Sequence, residues 1–109
     1  MAESTTRTPL TEAVFYILFF LHEPMHGYAI MQNIENITQG RVVLGAGTLY
    51  GAINALLAKR WIEALPGEHD SRKKEYLITE AGRFAFITEL DRLKELITNG
   101  EPLIGGRNN

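Results

Sequence analysis

Cysteine is absent from this 109-residue chain. That excludes disulfides, thiolate ligands and a cysteine nucleophile, and suits a reducing compartment. Long apolar runs are missing as well. Ala13–Leu21 is an uninterrupted apolar stretch of nine residues, under half of the ~20 that a membrane-spanning helix needs. Met1–Arg7 lacks the apolar core of a secretion signal, so a soluble, cytoplasmic protein is expected, with no membrane partner. Positive charge is not in excess either: the net charge is -2, which argues mildly against a nucleic-acid partner. No nucleophile–base pair or set of paired carboxylates is found, and Gly45-Ala46-Gly47 lacks the glycine–lysine pattern of a nucleotide loop. An enzyme is therefore not expected. Of the histidines, His22 and His26 are separated by Pro24, and His69 lies far along the chain, so neither a metal site nor a cofactor is expected. Internal repeats and low-complexity tracts are also missing.

What is present fits a packed domain. Hydrophobic residues make up 45%, enough for a core, while the short length leaves room for a second subunit to help bury apolar surface. Thr8-Pro9 reads as an N-cap followed by a first-turn proline, predicting a helix from Pro9 to His22 that stops at Glu23-Pro24. Its centre is apolar all the way round, which predicts cover on both sides. A second helix is expected from His26 or Gly27 to Thr38, with Ile30, Met31, Ile34 and Ile37 on its inner face and Gly40 as its stop. Arg41–Leu44 is expected as a short strand, and Gly45–Gly47 as the turn into a third helix.

That third helix, predicted from Gly47 to Arg60, has an unusual face. Leu49, Ile53, Leu56 and Leu57 form one apolar stripe. The opposite side carries Gly47, Gly51, Asn54, Ala55 and Ala58, flanked by Thr48 and Tyr50, where an ordinary solvated face would carry Lys, Glu and Gln. A glycine in mid-helix costs about 1 kcal/mol relative to alanine. A small, weakly charged face lets the helix backbone approach a large partner closely. Two strands follow, Trp61–Leu65 and Lys73–Ile78, joined by a polar turn that ends in Arg72-Lys73-Lys74. Residues 41–78 hold six basic and four acidic side chains, a local charge of +2 that leaves -4 on the rest. A last helix is expected from Thr79-Glu80 to Asn99, stopped by Gly100 and Pro102, with Phe86, Leu90, Leu93 and Ile97 spaced as a heptad-like seam.

The blocks His26-Gly27-Tyr28-Ala29-Ile30, Gly47-Thr48-Leu49-Tyr50-Gly51, Leu56–Ile62 and Ser71–Tyr76, the last followed by Leu77–Gly82, occur in the order found in the PadR family. From Leu10 to about Asn99 the chain resembles the short-chain branch of these bacterial transcriptional regulators. The resemblance implies a mainly α fold with a small β-hairpin (α+β), a winged helix-turn-helix with N- and C-terminal dimerisation helices. It also implies a homodimeric repressor whose third helix enters the major groove and which a small molecule often releases. The chain departs from relatives that hold flat drugs between tryptophans of the last helix: its one tryptophan is Trp61, and Phe84 and Phe86 stand on that helix.

The expected layout is a flexible 1–8, a DNA-binding domain over 9–78, a dimerisation helix over 79–99 and a flexible tail over 100–109. Double-stranded DNA carrying an inverted-repeat operator is the expected partner. Tyr28, Gly47, Thr48, Tyr50, Gly51 and Asn54 are expected at the groove, hydroxyls on phosphates and Asn54 paired with adenine. Arg72, Lys73 and Lys74 are expected on phosphates. Packing of Tyr50 against the second helix, a framing role for Tyr28 in the helix-turn-helix, and a merely solvated Asn54, remain open. The dimer interface is expected at Phe15, Phe19, Phe86, Leu90, Leu93 and Ile97. An aromatic effector pocket is expected at Phe15, Phe19, Phe84 and Phe86, which can equally be plain core. The other readings are a winged-helix protein-interaction module or a small-molecule sensor without DNA affinity.

Overall fold

The computed structural model describes residues 8–67 and 73–105. Of the expected flexible segments at 1–8 and 100–109, residues 1–7 and 106–109 lie outside the described residues, as does the wing tip including Arg72. The elements are α1 (Glu12–Phe20), β1 (Met25–His26), α2 (Gly27–Ile37), α3 (Ala46–Ala58), β2 (Ile62–Ala64), β3 (Glu75–Ile78) and α4 (Glu80–Ile104). This is the expected α+β winged helix. No described helix is long and apolar enough to cross a membrane.

Each helix start has a physical cause. Thr11, not Thr8, caps α1, its Oγ1 accepting from the Val14 amide at 3.1 Å. Thr11 is extended and stands one residue before the acidic Glu12, so it offers the better cap. His26 caps α2 with Nδ1, which accepts from the Ala29 amide at 3.2 Å. Thr79 caps α4, its Oγ1 accepting from the Gly82 amide, and the helix starts where expected.

Arg41–Leu44 is not a strand. Gln39 and Gly40 take positive φ (53° and 81°), and the Val42 amide is bound by Thr38 Oγ1 at 3.1 Å, so the segment is a side-chain-tied turn. The third strand is instead β1. The sheet order is β1-β3-β2, with Met25 opposite Tyr76 and Ile62 opposite Ile78. Two residues between Pro24 and a helix, the second of them its cap, carry no alternation from which a strand could be read.

The core is one cluster. Ile17, Leu18 and Leu21 from α1 and its end meet Ile30 and Ile34 from α2, Leu49, Ile53 and Leu56 from α3, and Ile62, Tyr76 and Ile78 from the sheet. Ile37, expected inside, is exposed at the end of α2. Two glycines are demanded by packing. A side chain on Gly27 would collide with the Tyr50 ring, and one on Gly82 with the Trp61 carbonyl.

The last helix does not stop at Asn99. It passes Gly100 and Pro102 and ends at Ile104, where Gly105 takes the positive φ (57°). Proline keeps a helical φ and removes one amide donor, a small loss this near the end. At 25 residues, α4 is about 37 Å long.

Candidate nucleic-acid interface

The α2–turn–α3 unit presents a face made by α3. Leu49, Ile53 and Leu56 are buried, and this leaves Ala46, Gly47, Thr48, Gly51, Asn54, Ala55 and Ala58 exposed together. At Gly45, Gly47 and Gly51 an added Cβ would meet nothing within 4 Å, and none of the three has positive φ. Among the described residues, neither packing nor backbone strain therefore accounts for these glycines. Gly45 caps α3 without a side-chain hydrogen bond, so the first-turn amides face outward.

The expected contact residues divide in the structure. Thr48 and Asn54 are exposed beside Gly47 and Gly51. Tyr50 is half-buried over Gly27, which is the packing alternative. Tyr28 is 57% exposed at the start of α2, its Oη accepting from Gln32 Nε2 at 3.3 Å. On the wing, Lys73 is exposed and shares a shallow polar recess with Glu75, while Lys74 is half-buried. Lys74 stands in register with Tyr76 and Ile78, whose side chains point into the core. Burial raises the Tyr76 phenol above its ordinary pKa, with nearby Tyr50 adding to the effect.

One ion pair ties two elements together, and a second lies within α4. Arg41, in the turn before α3, forks onto Glu12 at the start of α1, its Nη1 donating to Oε1 at 3.0 Å and its Nη2 to Oε2. That hydrogen bond holds the Glu12 carboxyl below the usual range. Glu89 on α4 is only 5% exposed and accepts from Arg92 Nε at 2.9 Å and Nη2 at 2.8 Å. Arg92 lowers the Glu89 pKa, burial opposes this, and the Leu10 amide lowers it further.

A family model described as the transcriptional regulator PadR-like family matches residues 16–87. The chain belongs to this family. The PadR-like chain is 43% identical over 60 residues to an uncharacterized 37.1 kDa protein in transposon TN4556 of Streptomyces fradiae, a match covering 55% of this chain. It spans only 16% of that protein's length. It is also 34% identical over 83 residues to an uncharacterized protein X of Lysinibacillus sphaericus, covering 71% of this chain and 75% of that one. Among solved structures, a PadR family transcriptional regulator from Eggerthella lenta aligns with a TM-score of 0.68 and 21% identity, covering 99% of this chain and 91% of that one. That likeness is one of fold.

In this PadR-like regulator the aromatic residues of α1 and α4 fall into two groups within the subunit. Phe15 stacks on Phe86 within the same subunit, with centroids 4.8 Å apart, and Phe19 and His22 pack at the edge of that ring. On its other side Phe15 borders an open recess with Leu10, Glu12, Tyr16, Arg92 and Leu93. Phe84 lies two positions from Phe86, a rotation of about 200° on a helix, and is 68% exposed on another side of α4. Within a single subunit Phe84 is therefore turned away from Phe15, Phe19 and Phe86. Leu90 and Leu93 are half-buried, and Ile97, on the same stripe as Phe86, is exposed further along.

Three features escaped the sequence reading. His26 is a helix cap, Lys59 lies over the Trp61 ring with Nζ 4.6 Å from its centroid, and the buried Glu89 is paired with a half-buried Arg92. Only the i, i+3 spacing of Glu89 and Arg92 left a signal in the chain.

Proposed function

We propose that this PadR-like transcriptional regulator binds duplex DNA as a cytoplasmic homodimer and represses transcription from an inverted-repeat operator. The observation that carries this reading is the exposed α3 face, on which Gly47 and Gly51 have no packing or backbone reason within the chain. In the reading, α3 lies in the major groove with its backbone close to the bases. Thr48 and Asn54 then reach base edges and phosphates. Tyr28 at the start of α2 and Lys73 on the wing, with Arg72 and Lys74 beside it, contact the flanking phosphates. Tyr50 serves mainly by holding α3 on α2, its ring packed over Gly27.

The dimer reading draws on α4. Ile97 and Ile104 continue the Phe86, Leu90, Leu93 stripe beyond the part covered by α1, and Leu96 and Leu103 are exposed on the neighbouring side, Leu103 by 89%. A patch of that kind on a small domain favours association. Two-fold pairing through these helices, with Phe15 and Phe19 of α1 at its margin, sets two α3 helices on one face, one helical turn (about 34 Å) or a multiple of it apart. A small aromatic effector that loosens DNA binding completes the proposal.

Titration of the full chain with mixed duplex genomic fragments across a salt series tests it. A DNA binder weakens steeply as salt rises, because bound phosphates release counterions. No binding even at low salt would refute the reading and favour a protein-interaction module.

A further inference from the structure

Between His26 and Lys59, a stretch that holds all of α2, the turn and α3, the chain carries a single Lys or Arg, which is Arg41. Docking on duplex DNA draws on such cations for phosphate contacts, and Arg41 is placed for one. Val42 and Leu44 pack on the core. Arg41, Val43 and Gly45 are left exposed, continuous along the chain with the exposed Ala46, Gly47 and Thr48 of the first turn of α3. In the free subunit, however, the guanidinium turns back onto the Glu12 carboxylate at the start of α1. The turn does not need that fork to hold its shape. Thr38 Oγ1 donates to the Ile34 carbonyl at 2.8 Å and accepts from the Val42 amide at 3.1 Å, and the Gly40 amide donates to the Glu35 carbonyl at 2.8 Å. The pair also lies in solvent, its side chains 62% and 46% exposed, where an ion pair adds little to stability.

We propose that Arg41 is a phosphate contact of the DNA-bound protein and that Glu12 competes for it in the free protein. The planar guanidinium fork suits two carboxylate oxygens and two phosphate oxygens alike, so docking exchanges one anion for the other. Glu12 thereby holds the affinity for any duplex below what the basic side chains alone would give. The inference rests on the DNA-binding reading above and adds to it a contact residue and an internal competitor.

The full-length protein and its variants are titrated with a fluorescently labelled random-sequence duplex at several salt concentrations, because a phosphate contact does not depend on base sequence. Both residues are exposed, and circular dichroism melts confirm that each variant is folded at the titration temperature. Arg41→Gln should weaken binding and lower the slope of log affinity against log salt by about 0.9, the share of one phosphate. Glu12→Gln should instead raise affinity roughly two- to fivefold, the scale of a solvent-exposed ion pair. That gain should vanish when Arg41→Gln is already present. A gain of equal size there would come from the lost negative charge alone and overturns the proposal. An unchanged salt slope in Arg41→Gln overturns it too, since the side chain then touches no phosphate. Weaker binding by Glu12→Gln, restored when Glu12→Arg and Arg41→Glu are combined, makes the pair a strut for the turn and likewise overturns it. Absence of wild-type binding at low salt refutes the DNA-binding reading itself, whereas wild-type binding that Glu12→Gln leaves unchanged refutes only this inference.

Discussion

Replacing Gly51 by alanine sets stability against function. Gly51 sits in mid-α3, exposed, and a Cβ there meets nothing within 4 Å. Alanine should therefore stabilise the helix by about 0.5–1 kcal/mol, through lower backbone entropy in the unfolded chain. For a domain of this size that raises the thermal midpoint by roughly 2–8 °C. The same methyl group stands where the proposed interface brings α3 closest to the base edges. Forcing an extra methyl into a close-packed contact costs about 1–3 kcal/mol, so operator affinity should fall roughly five- to hundredfold. Circular dichroism melts at one fixed protein concentration read the first effect, and fluorescence anisotropy on operator duplex reads the second. Gly27→Ala is the control, because its Cβ collides with the Tyr50 ring and should lower the midpoint. A Gly51→Ala protein that melts higher and binds operator like the wild type would show that α3 makes no close approach there. One that melts lower would show that the glycine has a structural role inside the chain.

Asn54→Ala should weaken operator binding by about 1–3 kcal/mol more than random-duplex binding if Asn54 reads a base edge, whereas Lys73→Ala should weaken both similarly and flatten the salt slope. Parallel losses for the two variants would refute that division. Ile97→Glu, at a position exposed in the single subunit, should give folded monomers in sedimentation and lose operator affinity, because the two half-sites are no longer engaged together; a wild-type-like dimer would refute the seam. The Glu89 carboxyl is held below its usual range, so its contribution is present above the unfolded carboxylate pKa, about 4.3, and is lost as pH falls through the lower folded value. Melts from pH 7 to pH 3 should therefore show a shallower acid decline for Glu89→Gln than for the wild type, and identical slopes would refute the role of this pair.

Much of the fold was legible in the chain because it rests on local periodicity. The stripe of Leu49, Ile53 and Leu56, the Thr79 cap and the two wing strands follow from side-chain spacing and from capping chemistry, which act within a few residues. The small face of α3 was legible for the same reason, since helical geometry alone sets Gly47, Gly51 and Asn54 on one side. The blocks that resemble PadR regulators, quoted in order along the chain, pointed to the family that the match over residues 16–87 establishes. Tertiary structure decided whatever depends on residues distant in sequence. A two-residue strand at Met25–His26 exists only because β3 offers it an edge, and Arg41–Leu44 turns because Thr38 binds its backbone. Helix α4 runs past Gly100 and Pro102 because a break signal near a helix end costs one hydrogen bond rather than a turn of packing. Phe86 stacks on Phe15 while Phe84 faces Trp61 across a recess. Helical spacing turns the two rings apart, but which partner each meets depends on how α4 docks on α1 and on the end of α3. Periodicity within one segment assigns a residue to a face; only the packing of segments determines what that face touches.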